Sequence, residues 1–284
     1  MKKLTLGKGE KILFIVLFIL FVLYSAMLIY PLAWGLMSSF KTLDEYFDSP
    51  FSFPAMPQFG NYPLALETIT DGGFSFLGMF WNSFWFAGGS AFINMEFVAL
   101  FSYVLNKFRF RGRNFLYGLC LFMMSVPIGA TLMSTYKLYH QLKLVNSYLI
   151  LFTATNVYGM NLILFHSYWG NISRSYAEAA QIDGAGYWQT YFKVMLPQAV
   201  PMMLTLGVLM FISKWNDYMA PLLYLPNMPT LATGLFRYQS VVERSGDYPV
   251  LFAALILCLI PVLIIFAIFS DKLMQNMSIG GLKG

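Results

Sequence analysis

Charge is what this sequence has least of. Asp, Glu, Lys and Arg make up 11% of its 284 residues, where a domain that folds in water carries about a quarter. A soluble fold of this length needs a polar surface around one or two cores, and a chain that is 58% hydrophobic cannot supply it. Cysteine is nearly absent. Cys120 and Cys258 each lie inside an apolar run, which leaves no disulfide framework and no thiolate metal pair. His140 and His166 are as isolated, with no second ligand at metal spacing, and read as loop or interface residues. No GxxxxGK phosphate loop, nucleophile elbow, His cluster or Asp-rich metal motif occurs. The chain is therefore read as no enzyme, with no cofactor and no metal of its own.

What it has instead is length of apolar sequence. Six stretches, roughly 12–38, 77–105, 115–136, 147–169, 198–223 and 249–270, each reach the ~20 residues a membrane-spanning helix needs. Gly88-Gly89, Pro127 and Pro261 interrupt them, which buried membrane helices tolerate. The first run is too long for a signal peptide and no small-x-small cleavage site follows it, so it is read as a retained helix. Lipid is the expected solvent.

Basic loops stay in the cytoplasm. Lys2, Lys3, Lys8 and Lys11 precede the first stretch, and Lys107, Arg109, Arg111 and Arg113 follow the second. The connection 39–76 instead sets Lys41 against Asp44, Glu45, Asp48, Glu67 and Asp71, as an exported segment should. Both termini are expected inside, and so is the connection 170–197. The net charge of +5 is this topology signal and calls for no nucleic acid.

The connection 170–197 is the most distinctive part of the chain. Ser175-Tyr176-Ala177-Glu178 fits a capping box that starts a short helix. Ala179 and Ala180 keep the helix slim for close approach, and Asp183-Gly184 supplies a left-handed stop. A second helix, about 186–195, interleaves Tyr187, Trp188, Tyr191, Phe192 and Val194 with Gln189, Thr190 and Lys193, an interfacial amphipathic pattern. Pro197 suits the first turn of the next span.

Glu178-Ala179-Ala180, three residues, Gly184, nine residues, Val194, one residue and Leu196-Pro197 together resemble the EAA loop of ABC importer permeases. Asp183-Gly184-Ala185, Trp215-Asn216-Asp217, Pro221-Leu222 and the terminal Gly281-Leu282-Lys283-Gly284 are similar to carbohydrate importers of the maltose type, in particular the shorter of their two permease subunits. Asn61-Tyr62, Asn82-Ser83, Val126-Pro127, Thr230-Leu231 and Gly234-Leu235 extend the likeness over nearly the whole chain. It departs at Ser173 and Ser175, where the family commonly shows Pro and an acidic residue.

The resemblance implies an all-α integral membrane protein with six transmembrane helices and the type I ABC importer architecture. Its expected parts are 1–38 (tail and first span), 39–76 (extracytoplasmic), 77–272 (core with the EAA loop at 171–197) and 273–284 (cytoplasmic tail). The implied function is one half of the pore of an ATP-driven sugar importer in the bacterial inner membrane. Implied partners are a second permease, an ATPase dimer that binds the ATP and Mg, and an extracytoplasmic sugar-binding protein, with carbohydrate as substrate and lipid as surroundings. Glu178, Ala179, Ala180, Asp183, Gly184, Ala185, Leu196 and Pro197 would couple to the ATPase, with Gly281 and Lys283 as a further contact.

Ionisable groups inside spans are costly and mark a pathway or a buried pair. Glu96 lies in the second span; Lys214 and Asp217 flank Trp215-Asn216 in the fifth, three residues apart and able to pair. These four residues around Trp215 are candidates for a path or gate as well. The long connection 224–248, with Arg237, Tyr238, Gln239, Glu243, Arg244 and Asp247, is expected as a functional loop that meets the binding protein. An ion-coupled secondary transporter is the rival class, and it would show an inverted repeat that is not seen here; a permease for a non-sugar solute is the other alternative.

Overall fold

Helices in lipid gain nothing from hiding apolar faces, because the solvent is itself apolar, so close packing and interhelical hydrogen bonds hold them together. The computed structural model describes residues 7–126, 132–153 and 158–279, which are almost wholly helical. In order these are α1 (Lys8–Ser38), α2 (Leu43–Asp48), α3 (Asn61–Thr68), α4 (Phe76–Lys107), α5 (Arg113–Ser125), α6 (Leu132–Gln141), α7 (Ile150–Thr153) and α8 (Met160–Asn171). Then come α9 (Ser175–Ile182), α10 (Tyr187–Gln189), a π-helical turn (Thr190–Met195), α11 (Leu196–Trp215), α12 (Met219–Tyr224), α13 (Leu231–Ser245) and α14 (Tyr248–Ile279).

Four helical stretches among the described residues are long and apolar enough to cross a membrane: Gly9–Ser38, Phe76–Lys107, Tyr187–Trp215 and Tyr248–Ser270. The expected count of six spans is not confirmed by the described residues. The stretch 115–136 is divided between α5 and α6, and 147–169 between α7 and α8, with 127–131 and 154–157 outside the described residues. Pro127 falls among the latter. The stretch 198–223 breaks between α11 and α12, because Asn216 and Asp217 turn their side chains onto backbone groups there. Helix α14 runs through Ile279, so the described part of the expected tail is helical.

The chain divides into two compact units, 1–68 with 238–259 and 69–237 with 260–284. In the first, α1 buries nothing over its most apolar window against the described residues of this chain. The connection after it is anchored by Asn61, whose Nδ2 donates to the carbonyls of Ser39 (2.8 Å) and Lys41 (2.9 Å), and by Tyr62, whose hydroxyl meets Ser39 Oγ at 2.8 Å. Lys41 is fully buried and donates to the Ser49 carbonyl at 2.6 Å. Thr42 and Glu45 form the capping box that starts α2. The residues of one short motif, Asn61-Tyr62, thus tie down the loop they belong to.

The second unit is organised on α4. Its buried face repeats small or flat residues at helical spacing, Ser83, Ala87, Ser90, Ala91, Asn94, Val98, Ala99 and Ser102, so that other helices approach its backbone. Gly89 is the tightest such point: a β-carbon there would lie 2.9 Å from Leu151 Cδ1. Two motifs that were separate in the sequence meet near the start of α4. Asn82 Nδ2 donates to the Pro229 carbonyl at 2.9 Å and the Leu231 amide donates to Ser83 Oγ at 2.8 Å. Farther along, Met95, Val98, Ala99 and Tyr103 of α4 form one buried cluster with Phe165 and Trp169 of α8, Tyr191 and Met195 of the π-turn, and Ala199 and Leu206 of α11.

Candidate functional site

The short helix α9 forms where the motif placed it, but its start differs from the expected capping box. Ser175 is already inside the helix, Arg174 precedes it in a helical conformation, and no side chain caps that position. The Arg174 carbonyl accepts from the amides of Ala177 and Glu178 (both 3.0 Å), while the Ser175 amide donates to Ser173 Oγ at 3.2 Å and the two serine hydroxyls meet at 2.8 Å. The helix thus begins one residue earlier than the box allows. Glu178 is released from capping and stands exposed, without an ion pair among the described residues.

The end of α9 is as expected. Gly184 has φ +85, its amide donates to the Gln181 carbonyl at 3.0 Å, and the Ala185 amide reaches back to the Ala180 carbonyl at 2.9 Å. These two bonds are the Schellman stop, which puts a residue in the left-handed region and so favours glycine. Ala180 is buried, whereas Ala179, Asp183 and Gly184 are exposed.

The second helix and the following span, expected as separate, are continuous from Tyr187 to Trp215. The join is the π-turn, in which the Leu196 amide donates to the Tyr191 carbonyl five residues back. Pro197 supplies the physical cause. It has no amide hydrogen and its ring crowds the carbonyl four residues earlier, and a widened turn relieves both. The turn also sorts the aromatic residues that sequence grouped together. Tyr191 and Met195 are buried in the cluster with α4 and α8, while Ile182 (86% exposed), Tyr187, Trp188 and Phe192 face outward. Trp188 and Phe192 stack at 5.9 Å.

What fixes this element to the spans was not legible in the motif. Trp169 is fully buried and its Nε1 donates to the Ala99 carbonyl and to Ser102 Oγ, both at 3.1 Å. Tyr103 packs on Trp169 (5.2 Å) and on Tyr191 (5.0 Å). Lys107 Nζ donates to the Ile172 carbonyl at 2.5 Å, Asn106 Nδ2 to the His166 carbonyl at 2.9 Å, and Arg174 to the Asn106 carbonyl at 3.4 Å. The end of α4 therefore grips the chain just ahead of α9. Lys107 thus serves the structure as well as the topology signal; a lysine in the last turn of a helix can reach free carbonyls, and that position is the clue the sequence carries.

The path or gate candidates resolve into a paired corner. Lys214 Nζ lies 3.0 Å from Asp217 Oδ2, and Asp217 Oδ1 accepts from the Ala220 amide at 3.0 Å. Trp215 is buried, stacked on Phe211 and edge-on to Phe80 (both 5.6 Å), and Asn216 Nδ2 donates to the Ile212 carbonyl. Both carboxylate oxygens of Asp217 are thus engaged at the end of a helix. Glu96 has a different setting. It borders a cavity of about 530 Å³ walled by Phe84, Phe92, Met95, Leu196, Val208 and Phe211 among others, a lining with few groups for a sugar to bond.

The connection 224–248, expected as a loop, is mostly the helix α13. Arg237 pairs with the buried Asp71, and Tyr238 is 7% exposed, so Tyr238 offers no surface to a docking protein. Gln239, Glu243 and Arg244 do lie on the exposed face. The buried partner of Arg237 sits in the distant 39–76 connection and could not be paired from sequence. Gly281 and Lys283 lie outside the described residues. Among the described residues no group of three His, Cys, Asp or Glu could hold a metal.

Residues 97–279 match the family model described as binding-protein-dependent transport system inner membrane component. The chain is similar to the diacetylchitobiose uptake system permease protein NgcG of Streptomyces coelicolor, at 31% identity over 92% of this chain and 86% of that one. It is similar to the multiple sugar-binding transport system permease protein MsmG of Streptococcus mutans, at 30% identity over 97% and 99%, and to the arabinooligosaccharides transport system permease protein AraQ of Bacillus subtilis, at 26% over 95% and 96%. Its fold is like that of a chain in a bacterial ABC transporter involved in import of the acidic polysaccharide alginate, with a TM-score of 0.80 over 94% of this chain and 98% of that one, at 23% identity.

Proposed function

The chain belongs to the family of binding-protein-dependent transport system inner membrane components, and from that premise we propose that it forms half of the pore of an ATP-driven carbohydrate importer. The sugar class is drawn from the relatives, which carry diacetylchitobiose, arabinooligosaccharides and other sugars by name. In this reading a second permease completes the pore, an ATPase dimer binds the ATP and Mg, and an extracytoplasmic sugar-binding protein delivers the substrate. Residues 171–197 and both termini lie in the cytoplasm.

One observation carries the reading. The stretch from α9 through the π-turn presents Glu178, Ile182, Tyr187, Trp188 and Phe192 outward while Tyr191 and Met195 are sunk among α4, α8 and α11. An exposed apolar and acidic surface with a rigid buried root is what a transmitting contact requires. Force applied to it passes through packed side chains, which switch between discrete arrangements and do not deform smoothly. When ATP closes the ATPase dimer, the element moves as a body, carries α4 and α11 with it, and alternates the opening of the pore. ATP binding acts only through its different affinity for the two states.

A photo-reactive side chain at Ile182 tests this contact, since that residue is 86% exposed and makes no part of the buried root. In membranes holding the whole complex it should cross-link to the ATPase subunit. Cross-linking to lipid alone would remove the loop from the coupling path.

A further inference from the structure

The connection after α1 carries apolar side chains that nothing among the described residues covers. Its run Pro50-Phe51-Ser52-Phe53-Pro54-Ala55-Met56-Pro57-Gln58-Phe59 holds no charge, and Phe51, Phe53, Met56 and Phe59 are 70–86% exposed. Large apolar groups clustered at a surface mark a place that meets something apolar.

Hydrogen bonds to the end of α1 set the height of this run. Trp34 lies one turn before that end, about 6 Å below it at 1.5 Å per residue, and its Nε1 donates to the Pro50 carbonyl at 2.9 Å. The Gln58 amide donates to the Phe40 carbonyl at 2.8 Å, Lys41 Nζ holds the Ser49 carbonyl, and Asn61 and Tyr62 hold Ser39. The run is thus fastened at both ends to residues 34–41. Because α1 is long and apolar enough to cross the membrane, residues 50–59 lie at the level where it leaves the lipid. Tyr46 packs between Trp34 (6.1 Å) and Tyr248 (5.3 Å) at the same level, and such amphipathic rings collect at the membrane interface.

The backbone of the run is prepared for a poorly hydrated place. Pro50, Pro54 and Pro57 have no amide hydrogen. The amides of Ser52, Ala55, Gln58 and Phe59 donate to the Ser49 carbonyl (3.2 Å), Glu45 Oε1 (3.0 Å), the Phe40 carbonyl (2.8 Å) and the Pro57 carbonyl (3.2 Å). In water such donors would be served in any case; at the edge of a bilayer they must find partners within the chain. The run also holds no Arg, Tyr or Trp, the residues that join apolar contact to a directional bond at protein interfaces. Asp44 and Asp48, both exposed, stand in the preceding helix α2 and not in the run.

We propose that residues 50–59 are a membrane anchor, lying in the interface of the leaflet at which α1 ends, with Phe51, Phe53 and Met56 inserted among the lipids. Since the run is bonded to the last turn of α1, the anchor fixes the depth of that helix end. This part of the 39–76 connection is then a lipid-binding surface and not a docking face for a protein.

The test uses the complete transporter in liposomes, with Cys120 and Cys258 replaced by Ala and the partner chains free of reactive thiols. A nitroxide is attached to a single cysteine at 53, 56 or 44, and complexes that retain stimulated ATP hydrolysis are compared. Labels at 53 and 56 should meet molecular oxygen, which concentrates in lipid, several-fold more readily than a water-soluble nickel chelate, and the label at 44 should show the reverse order. Labels at 53 and 56 open to the chelate would make the run a solvated loop, and labels shielded from both reagents would make it a protein contact; either overturns the anchor. A photo-reactive side chain at Phe53 gives an independent reading. It should mark phospholipid, and marking of the partner permease or the binding protein instead would reject the proposal. Changing Phe51, Phe53 and Met56 together to Ser should turn a label at 59 from oxygen towards the chelate, and an unchanged label would deny these three side chains the anchoring role.

Discussion

Replacing Gly184 separates the shape of the coupling loop from its mere presence. Its φ of +85 is a conformation that L side chains avoid, and nothing lies within 4 Å of where a β-carbon would sit. A substituent therefore meets no neighbour, and its cost is purely conformational. Left-handed backbone costs an ordinary residue about 1–2 kcal/mol, and a β-branched residue fares worse. If the turn opens, the two bonds of the Schellman stop go with it, at about 1 kcal/mol each. These are alternatives, since a turn that keeps its shape carries the strain and one that opens loses the bonds, so the substitution disfavours the formed loop by about 2 kcal/mol, roughly thirtyfold in its population. Asn enters the left-handed region far more readily, which supplies the control. In proteoliposomes holding the complete transporter, Gly184→Asn should keep most of the substrate-stimulated ATPase activity and Gly184→Val should fall to the unstimulated level, with both proteins inserted normally. Equal activity of the two variants would refute the claim that the left-handed turn shapes the contact.

Three further outcomes follow from other parts of the structure. Glu178 is exposed and caps nothing, so Glu178→Ala should leave thermal stability in detergent unchanged while weakening stimulated ATP hydrolysis; a lowered melting temperature would return Glu178 to a structural role. On α13, changing Gln239, Glu243 and Arg244 together to Ala, with Tyr238 and Val242 kept, should preserve basal ATP hydrolysis and abolish its stimulation by the loaded binding protein, and unaltered stimulation would make α13 a connector only. Arg237→Ala leaves the Asp71 carboxylate buried and unpaired, which should cost up to about 3 kcal/mol, read as an earlier melting of intrinsic tryptophan fluorescence; Asp71→Asn combined with Arg237→Gln should recover part of it, and no difference between single and double variants would remove the ion pair from the stability of the unit.

Much of this molecule can be read without coordinates wherever the signal is local. The spans at α1, α4 and α14 follow from apolar length, and the α9 stop follows from Asp183-Gly184, because only a few residues accept the turn. The pairing of Lys214 with Asp217 follows from their three-residue spacing. Legibility ends where a choice depends on distant groups. Ser175 and Glu178 have the capping-box spacing, yet Ser173 and the Arg174 carbonyl satisfy the amides first. The π-turn reflects a compromise between Pro197 and the buried anchors Tyr191 and Met195, whose partners on α4 lie some ninety residues away in sequence. The reading of 224–248 as a loop failed for the same reason. Its polar residues looked like solvent-exposed chain, while Tyr238 and Val242 on the other face are buried and Arg237 is held by Asp71.

The source of energy is the most direct point on which this account stands. Sugar uptake should be measured in vesicles containing this chain with its partner permease, ATPase and binding protein, with ATP enclosed or removed and with proton and sodium gradients imposed independently. The account predicts uptake that requires enclosed ATP and continues after both gradients are collapsed. Uptake driven by an ion gradient in vesicles without ATP or the ATPase chain would contradict it.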